Sequence, residues 1–354
     1  MSVVIERRDA VSGMGWTVLR GARADVMRAL GAEHAALIEA QRADSDGGWS
    51  ANVRRSRGVA AERFAAVADS TRAALPVESQ ELDWIAEGAD IAPDELWAQN
   101  LRGDLGRDGT GCSDLSLLHG ASVVLGHNED GDAGLRGLLR LVTLDIEGDP
   151  SITVVWYPGM LPSNSFVTTS AGLSFGMDHV PVRVADLRGC GRHLVARHAQ
   201  RQHSGAQARD ALTRFGCAGG FAFDVADAEA GRVDLIENAA GVRAMQEGGV
   251  IRHTNHLRVV DGARGDLAVA ADDEWLAESR ARLAVLSDVS RNAADADAVW
   301  GALRADGVRN LRDDLFTLAT AMVDTGADLV TVQAEGEPWR GSLGAFARGE
   351  RVDA

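Results

Sequence analysis

The residues best placed to do chemistry are Gly111 and Cys112, within Asp108-Gly-Thr-Gly-Cys-Ser-Asp-Leu-Ser-Leu-Leu-His119. A thiol between a glycine and the start of an apolar strand can attack two kinds of carbonyl. One is that of Gly111, which carries no side chain to shield it; the attack would cut the chain. The other is a substrate carbonyl, attacked once Cys112 has become a new N-terminal residue. A turn at His119-Gly120 would lay the next run, Ser122-Val-Val-Leu-Gly126, beside the first and return Asn128 and Asp130 toward Cys112. An isolated cysteine is more often an inert, buried apolar side chain. The polar neighbours are what favour a reactive one here.

Two other patterns compete. Gly172-Leu-Ser-Phe-Gly176 matches the Gly-x-Ser-x-Gly turn of serine hydrolases, with Ser174 as nucleophile. That turn needs a helix directly after the serine, and Pro181 would stop such a helix before its second turn. His193, His198 and His203 recur every five residues. Five steps rotate a helix by about 140°, so the three do not share a face, and no His-Glu-x-x-His pair exists. They predict a surface or partly packed helix, and no metal site is expected.

Composition narrows the classes. The chain has 354 residues, 45% hydrophobic, and a net charge of −16. This acidity lacks the footprint of a nucleic-acid binder. All 36 basic residues are arginine, which excludes a Schiff-base lysine, a pyridoxal phosphate site and a P-loop lysine. Cys112, Cys190 and Cys217 form no Cys-x-x-Cys pair and leave one over after any disulfide, which predicts a reducing, cytoplasmic location. No long apolar run marks a signal peptide or a membrane span. No cofactor is expected.

The elements that must position the cysteine follow from periodicity. Residues 1–19 read as strand and turn. Helical spacing predicts helices over 21–41, 57–75, 78–88 and 93–101, with Pro76 ending the second and Pro93 in the first turn of the fourth. From Cys112 the pattern changes to strands: 113–118, 121–126, 138–146, 151–157, 165–170 and 172–177. Helices at 190–202 and 204–214, a hairpin at 220–237, helices at 272–289 and 293–305, and strands at 317–324 and 329–334 precede a polar tail. Grouped helices with mixed strands indicate a layered α+β fold.

On these residues the chain resembles a known family. The segment from Pro76 to Arg102, the Gly-Cys junction, Gly126-His-Asn-Glu-Asp130, His253-Thr-Asn-His256, Thr317–Asp324 and Gly336-Glu-Pro338 are similar, in order and spacing, to motifs of the acyl-coenzyme A:6-aminopenicillanate acyltransferase family of cysteine N-terminal-nucleophile (Ntn) hydrolases. The resemblance implies a four-layer αββα sandwich in one domain, 1–354. It implies self-cleavage at Gly111–Cys112 into associated fragments 1–111 and 112–354. By the same likeness Cys112 is the nucleophile, Asp130 orients the new terminus, and Asn255 donates to the oxyanion. Arg280, in Glu278-Ser-Arg-Ala-Arg282, is the arginine expected near the nucleophile. Asn128, Asp178 and His179 are the expected substrate-binding side chains. Asp178 stands where many relatives have Asn; it would favour a cationic group if it lines the pocket, and is otherwise a satisfied turn residue.

The expected activity is hydrolysis or acyl transfer at a small N-acylated amine, an amino-acid-derived amide or a thioester, through an acyl-cysteine. The alternatives are a serine hydrolase using Ser174 and a non-catalytic binding protein on the same scaffold. Neither nucleic acid nor membrane is an expected partner.

Overall fold

The computed structural model describes residues 3–45, 47–105, 111–260 and 273–354. Residues 108–110 of the glycine-rich run, and the first residue of the helix expected from 272, lie outside the described residues. The chain begins with a hairpin, β1 (Val4–Val11) and β2 (Met14–Gly21). Six helices follow: α1 (Arg23–Glu33), α2 (Ala35–Arg42), α3 (Gly48–Arg57), α4 (Ala61–Ala74), α5 (Pro76–Gly88) and α6 (Pro93–Asn100). Then come β3 (Ser113–His119), β4 (Ser122–Gly131), β5 (Arg140–Ile146), β6 (Ile152–Trp156), β7 (Phe166–Thr169) and β8 (Leu173–His179). After α7 (Arg192–Gln200) and α8 (Gly205–Arg214) lie β9 (Gly220–Asp227), β10 (Arg232–Ala239), β11 (Val242–Glu247) and β12 (Val250–His253). The remainder holds α9 (Glu274–Val289), α10 (Ala296–Leu303), β13 (Phe316–Asp324), β14 (Leu329–Gln333), β15 (Trp339–Ser342) and α11 (Leu343–Ala347).

Among the described residues the strands form two sheets, one of nine in the order β1-β2-β5-β6-β7-β8-β9-β10-β11 and one of six in the order β12-β3-β4-β13-β14-β15. Adjacent strand residues point to opposite faces, and here both faces are apolar. Val142 and Val154 join α1–α8 in one core, whereas their neighbours Leu141 and Val155 meet the second sheet in another. On the second sheet, Val123 and Leu125 face the first sheet, and Val124 faces α9 and α10. Three apolar layers between four layers of elements make the αββα sandwich, an α+β fold.

Several expected elements differ in detail. The helix expected over 21–41 breaks at His34, which leaves helical dihedrals (φ −111°, ψ 13°) and packs its ring against Trp156 at 5.0 Å. An extra helix, α3, forms between Gly47 and Gly58; Trp49 is its buried anchor, and Arg55 caps the carbonyl of Leu105. Strand β11 mixes polar and apolar residues, and β12, β15 and α11 are only four or five residues long, too short for an apolar periodicity to reveal them. The α7 helix is almost wholly buried rather than superficial. Ser174 is the second residue of β8, paired on both sides with Thr168 and Ala226 and buried. A strand interior has no elbow, so the serine-hydrolase alternative loses its structural basis.

Candidate active site

Cys112 precedes β3, whose Ser113 and Asp114 pair with Asn128 and His127 of β4. This register brings Cys112 level with Glu129. Alternation along β4 then divides the surroundings. His127 and Glu129 point between the sheets, and Asn128 and Asp130 point toward the α9–α10 layer.

On the inter-sheet side, Cys112 Sγ lies 3.9 Å from Glu129 Oε2 and 3.8 Å from the main-chain oxygen of Asp130. Tyr157 donates its hydroxyl to Glu129 Oε1 at 2.6 Å. His127 bridges Glu129 Oε2 (3.1 Å, through Nε2) and Asp114 Oδ1 (2.7 Å, through Nδ1). Burial works against a charged His127, but Asp114 and Glu129 outweigh it and hold its pKa well above the ordinary imidazole value. Burial pushes Asp114 up to about 6, helped by the charge of Asp178. The thiol of Cys112 is pushed well up by burial and by Glu129, Asp178 and Asp130. In the continuous chain it is therefore protonated at neutral pH, and attack requires a base.

On the other side the backbone of Cys112 is pinned. Its N–H donates to Asn255 Oδ1 at 2.9 Å. Arg282 donates through Nη1 to the Cys112 carbonyl and to Ser113 Oγ (3.0 Å), and through Nη2 to Asn255 Oδ1 (2.8 Å). Glu278 holds the guanidinium from one turn earlier on α9. These donors fix the orientation of the Asn255 amide, because Oδ1 must face them. Its Nδ2 donates to the carbonyl of His179 at 2.9 Å. The carboxylate of Asp130 accepts from Thr317 Oγ1 (2.5 Å) and Asn310 Nδ2 (2.6 Å). Burial raises its pKa to about 7, more than Arg282, Thr317 and Asn310 lower it. A Cβ at Gly111 would stand 2.6 Å from Arg282 Nη2, so any larger residue there must displace the guanidinium.

Cys112 and Glu129 line a small cavity of about 60 Å³ together with Arg102, His179, Arg192 and His193. Burial and the cations of Arg192 and Arg102 hold His193 well below the ordinary value, so its ring is neutral. A larger cavity of about 520 Å³ opens on Gly111, His179 and Asn255, beside Trp275 and Glu278.

The fold thus gathers Cys112, Asp130, Asn255 and His179, and leaves three expected residues elsewhere. Arg280 is exposed on α9; the arginine at the nucleophile is Arg282, two residues on, because that step turns the side chain inward. Asn128 bonds the Leu303 carbonyl and Thr320 on the far face of the sheet. Asp178 is fully buried and bonded to His253 at 2.7 Å, and it does not line either cavity. Burial opposes a charged His253, but Asp178 and Glu237 raise its pKa to about 10. The sequence reading missed Glu129, His127, Tyr157, Arg192 and His193. Only the His127-x-Glu129 spacing offered a signal, since strand residues two apart share a face.

No curated protein sequence matches the chain. Among solved structures, it is similar to an N-acylethanolamine-hydrolyzing acid amidase ortholog from Caenorhabditis elegans. The identity is 15%, over 64% of this chain and 99% of that one, with a TM-score of 0.45. It is also similar to the penicillin V acylase of Agrobacterium tumefaciens (11% identity, 66% and 86% covered, TM-score 0.42). A mutant conjugated bile acid hydrolase from Clostridium perfringens matches at 10% identity, 68% and 95% covered, and a TM-score of 0.42. No helix among the described residues is long and apolar enough to cross a membrane. The profile of the acyl-coenzyme A:6-aminopenicillanic acid acyl-transferase family matches residues 118–300. With just over half of its length so matched, the chain belongs to that family.

Proposed function

We propose that this protein is a self-processing N-terminal-cysteine amide hydrolase or N-acyltransferase that acts on a small N-acylated amine through an acyl-cysteine. Family membership makes it an enzyme of the amide-hydrolysing or acyl-transferring type. The observation that carries the finer reading is the two-sided environment of Cys112. Its thiol borders a cavity, while Asn255 and Arg282 clamp its N–H and carbonyl at a junction where a Cβ on residue 111 would press on the Arg282 guanidinium.

The chemistry follows from these positions. Sγ attacks the Gly111 carbonyl, the C–N bond to Cys112 breaks, and a thioester forms; water then releases fragment 1–111. The freed α-amine of Cys112 has an ordinary pKa of about 7.7–8.0. Near neutral pH a useful fraction can accept the thiol proton, which the buried thiol of the continuous chain cannot readily lose. Asn255 Oδ1 remains the acceptor that orients this amine. In turnover Sγ attacks the substrate carbonyl, the C–N bond breaks, and the amine leaves with the proton held by the Cys112 α-amine; water or a second amine then removes the acyl group from Sγ. The oxyanion role expected of Asn255 would require its Nδ2 to leave the His179 carbonyl. Asp130 acts through its main-chain oxygen beside Sγ and its carboxyl beside Arg282, with fragment 112–354 carrying the machinery and 1–111 staying packed on it.

Intact mass of the wild type beside Cys112→Ala tests the reading. Two fragments with an N-terminus at Cys112 in the wild type, and a whole, inactive variant, are expected. A whole wild type, with activity surviving in the variant, would sink it.

A further inference from the structure

We propose that Cys112, His127 and Glu129 form a binding site for a thiophilic divalent cation of the zinc class, whose occupation withdraws the nucleophile from reaction. Only the second half of this statement rests on the function proposed above. The donor atoms Sγ, Nε2 and Oε2 all lie within 4.8 Å of one another, and all three residues are buried. Two of the separations are 3.9 Å and 3.1 Å. Zinc at about 2.0–2.3 Å from tetrahedral ligands sets its donors about 3.3–3.6 Å apart, so small side-chain rotations bring the three onto one ion.

The surroundings are those of a ligand set. Asp114 bonds His127 Nδ1 at 2.7 Å, which fixes the ring and leaves Nε2 to face the ion. Tyr157 holds the second oxygen of Glu129 at 2.6 Å, which turns Oε2 inward. A thiolate and a carboxylate neutralise a dication. The cation replaces the proton on Sγ and the one between Nε2 and Oε2, and both pass to solvent. A histidine held between two carboxylates would be complete without a thiol; the cysteine makes the donor set suit a soft metal. The fourth position faces the small cavity, open to water or to the α-amine of a cut chain. Asn164 Oδ1 and Ser165 Oγ border that cavity, buried and without hydrogen-bond partners among the described residues.

Chelator-treated protein titrated with Co²⁺ tests the site. A thiolate-to-cobalt charge-transfer band in the near ultraviolet is expected, saturating at one equivalent and displaced by Zn²⁺. Cys112→Ser should abolish it. The near-isosteric Asp114→Asn should weaken binding about 10–100-fold, and Glu129→Gln at least as much. Absence of the band, its persistence in Cys112→Ser through Cys190 or Cys217, or wild-type affinity in both acid-to-amide variants would overturn the site. Saturating Zn²⁺ should slow iodoacetamide alkylation of Cys112, read by mass, at least about tenfold; an unchanged rate would overturn the withdrawal. Neither readout needs cleavage or turnover, so a whole wild type with activity surviving in Cys112→Ala refutes the proposed function and leaves the metal site to be judged on its own.

Discussion

Arg282 grips Cys112 from both ends. One guanidinium nitrogen donates to the Cys112 carbonyl, and another donates to the same Asn255 oxygen that accepts the Cys112 N–H. The scissile peptide is thereby held from its Cys112 side, by Asn255 on its N–H and by Arg282 on the carbonyl of the following peptide. Burial of the guanidinium is compensated by Glu278 and by the charges of Asp130 and Asp178.

A lysine cannot reproduce this fork, since its ammonium offers a point charge rather than a planar set of donors. Arg282→Lys should slow appearance of the two fragments at least about a hundredfold, roughly the 2.7–4 kcal/mol of a lost aligned donor. A gel time course after expression measures it. Wild-type cleavage in this variant would remove Arg282 from the mechanism.

Gly111→Ala tests the same contact from the other side. The new methyl would meet the guanidinium at 2.6 Å, and that group is pinned by Glu278, Asn255 and Ser113. Displacing it should slow cleavage at least about tenfold, equivalent to about 1.4 kcal/mol of barrier. Unchanged kinetics would mean that the arginine yields freely.

Stability should depend on Asp130 with a definite sign. Its folded pKa is about 7 against an ordinary 3.8. Between pH about 4 and 7 the folded state keeps a proton that the unfolded state has lost, so stability falls as pH rises through that window. Three pK units correspond to a loss on the order of 4 kcal/mol. Urea unfolding at pH 4.5 and 7.5 should show the wild type losing stability relative to Asp130→Asn. Parallel pH dependences would contradict the raised value.

His253 lies between Asp178 (2.7 Å) and Glu237 (3.3 Å), with all three fully buried. Removing the cation leaves buried Asp178 without its partner and Glu237 with only its backbone N–H donors from 258–260, so His253→Ala should cost about 3–5 kcal/mol at pH 7. Because the folded pKa is raised to about 10, the histidine's contribution is complete below about 6.5 and disappears as pH rises through 10. Denaturant titration reads the first effect. Asp178→Asn should alter KM equally for amine-bearing and neutral substrates; a selective rise for the amine would place Asp178 in the pocket.

Much of the scaffold was legible in sequence because strands buried on both faces read as continuous apolar runs, and long helices carry their own period. Leu141-Val142-Thr143-Leu144 and Val123-Val124-Leu125 are such runs. Where an element is held by tertiary contacts, the period disappears. The helix α3 is rich in arginine and depends on one tryptophan, and β11 and β12 are largely polar strands recruited at sheet edges.

The site divides along the same line. The sequence by itself determined the Gly111–Cys112 junction and, through one short hairpin, the approach of β4 to Cys112, because local turns bring near neighbours together whatever the rest of the chain does. Only the tertiary structure decided that Arg282 rather than Arg280 turns inward, and that Asp178 pairs with His253 instead of facing substrate. It also decided that Glu129 and His127, rather than Asn128, share the thiol's side of the sheet. Those choices depend on side-chain direction between layers: Arg282 lies 170 residues from Cys112, and His253 lies 75 from Asp178, so no local spacing specifies the pairs.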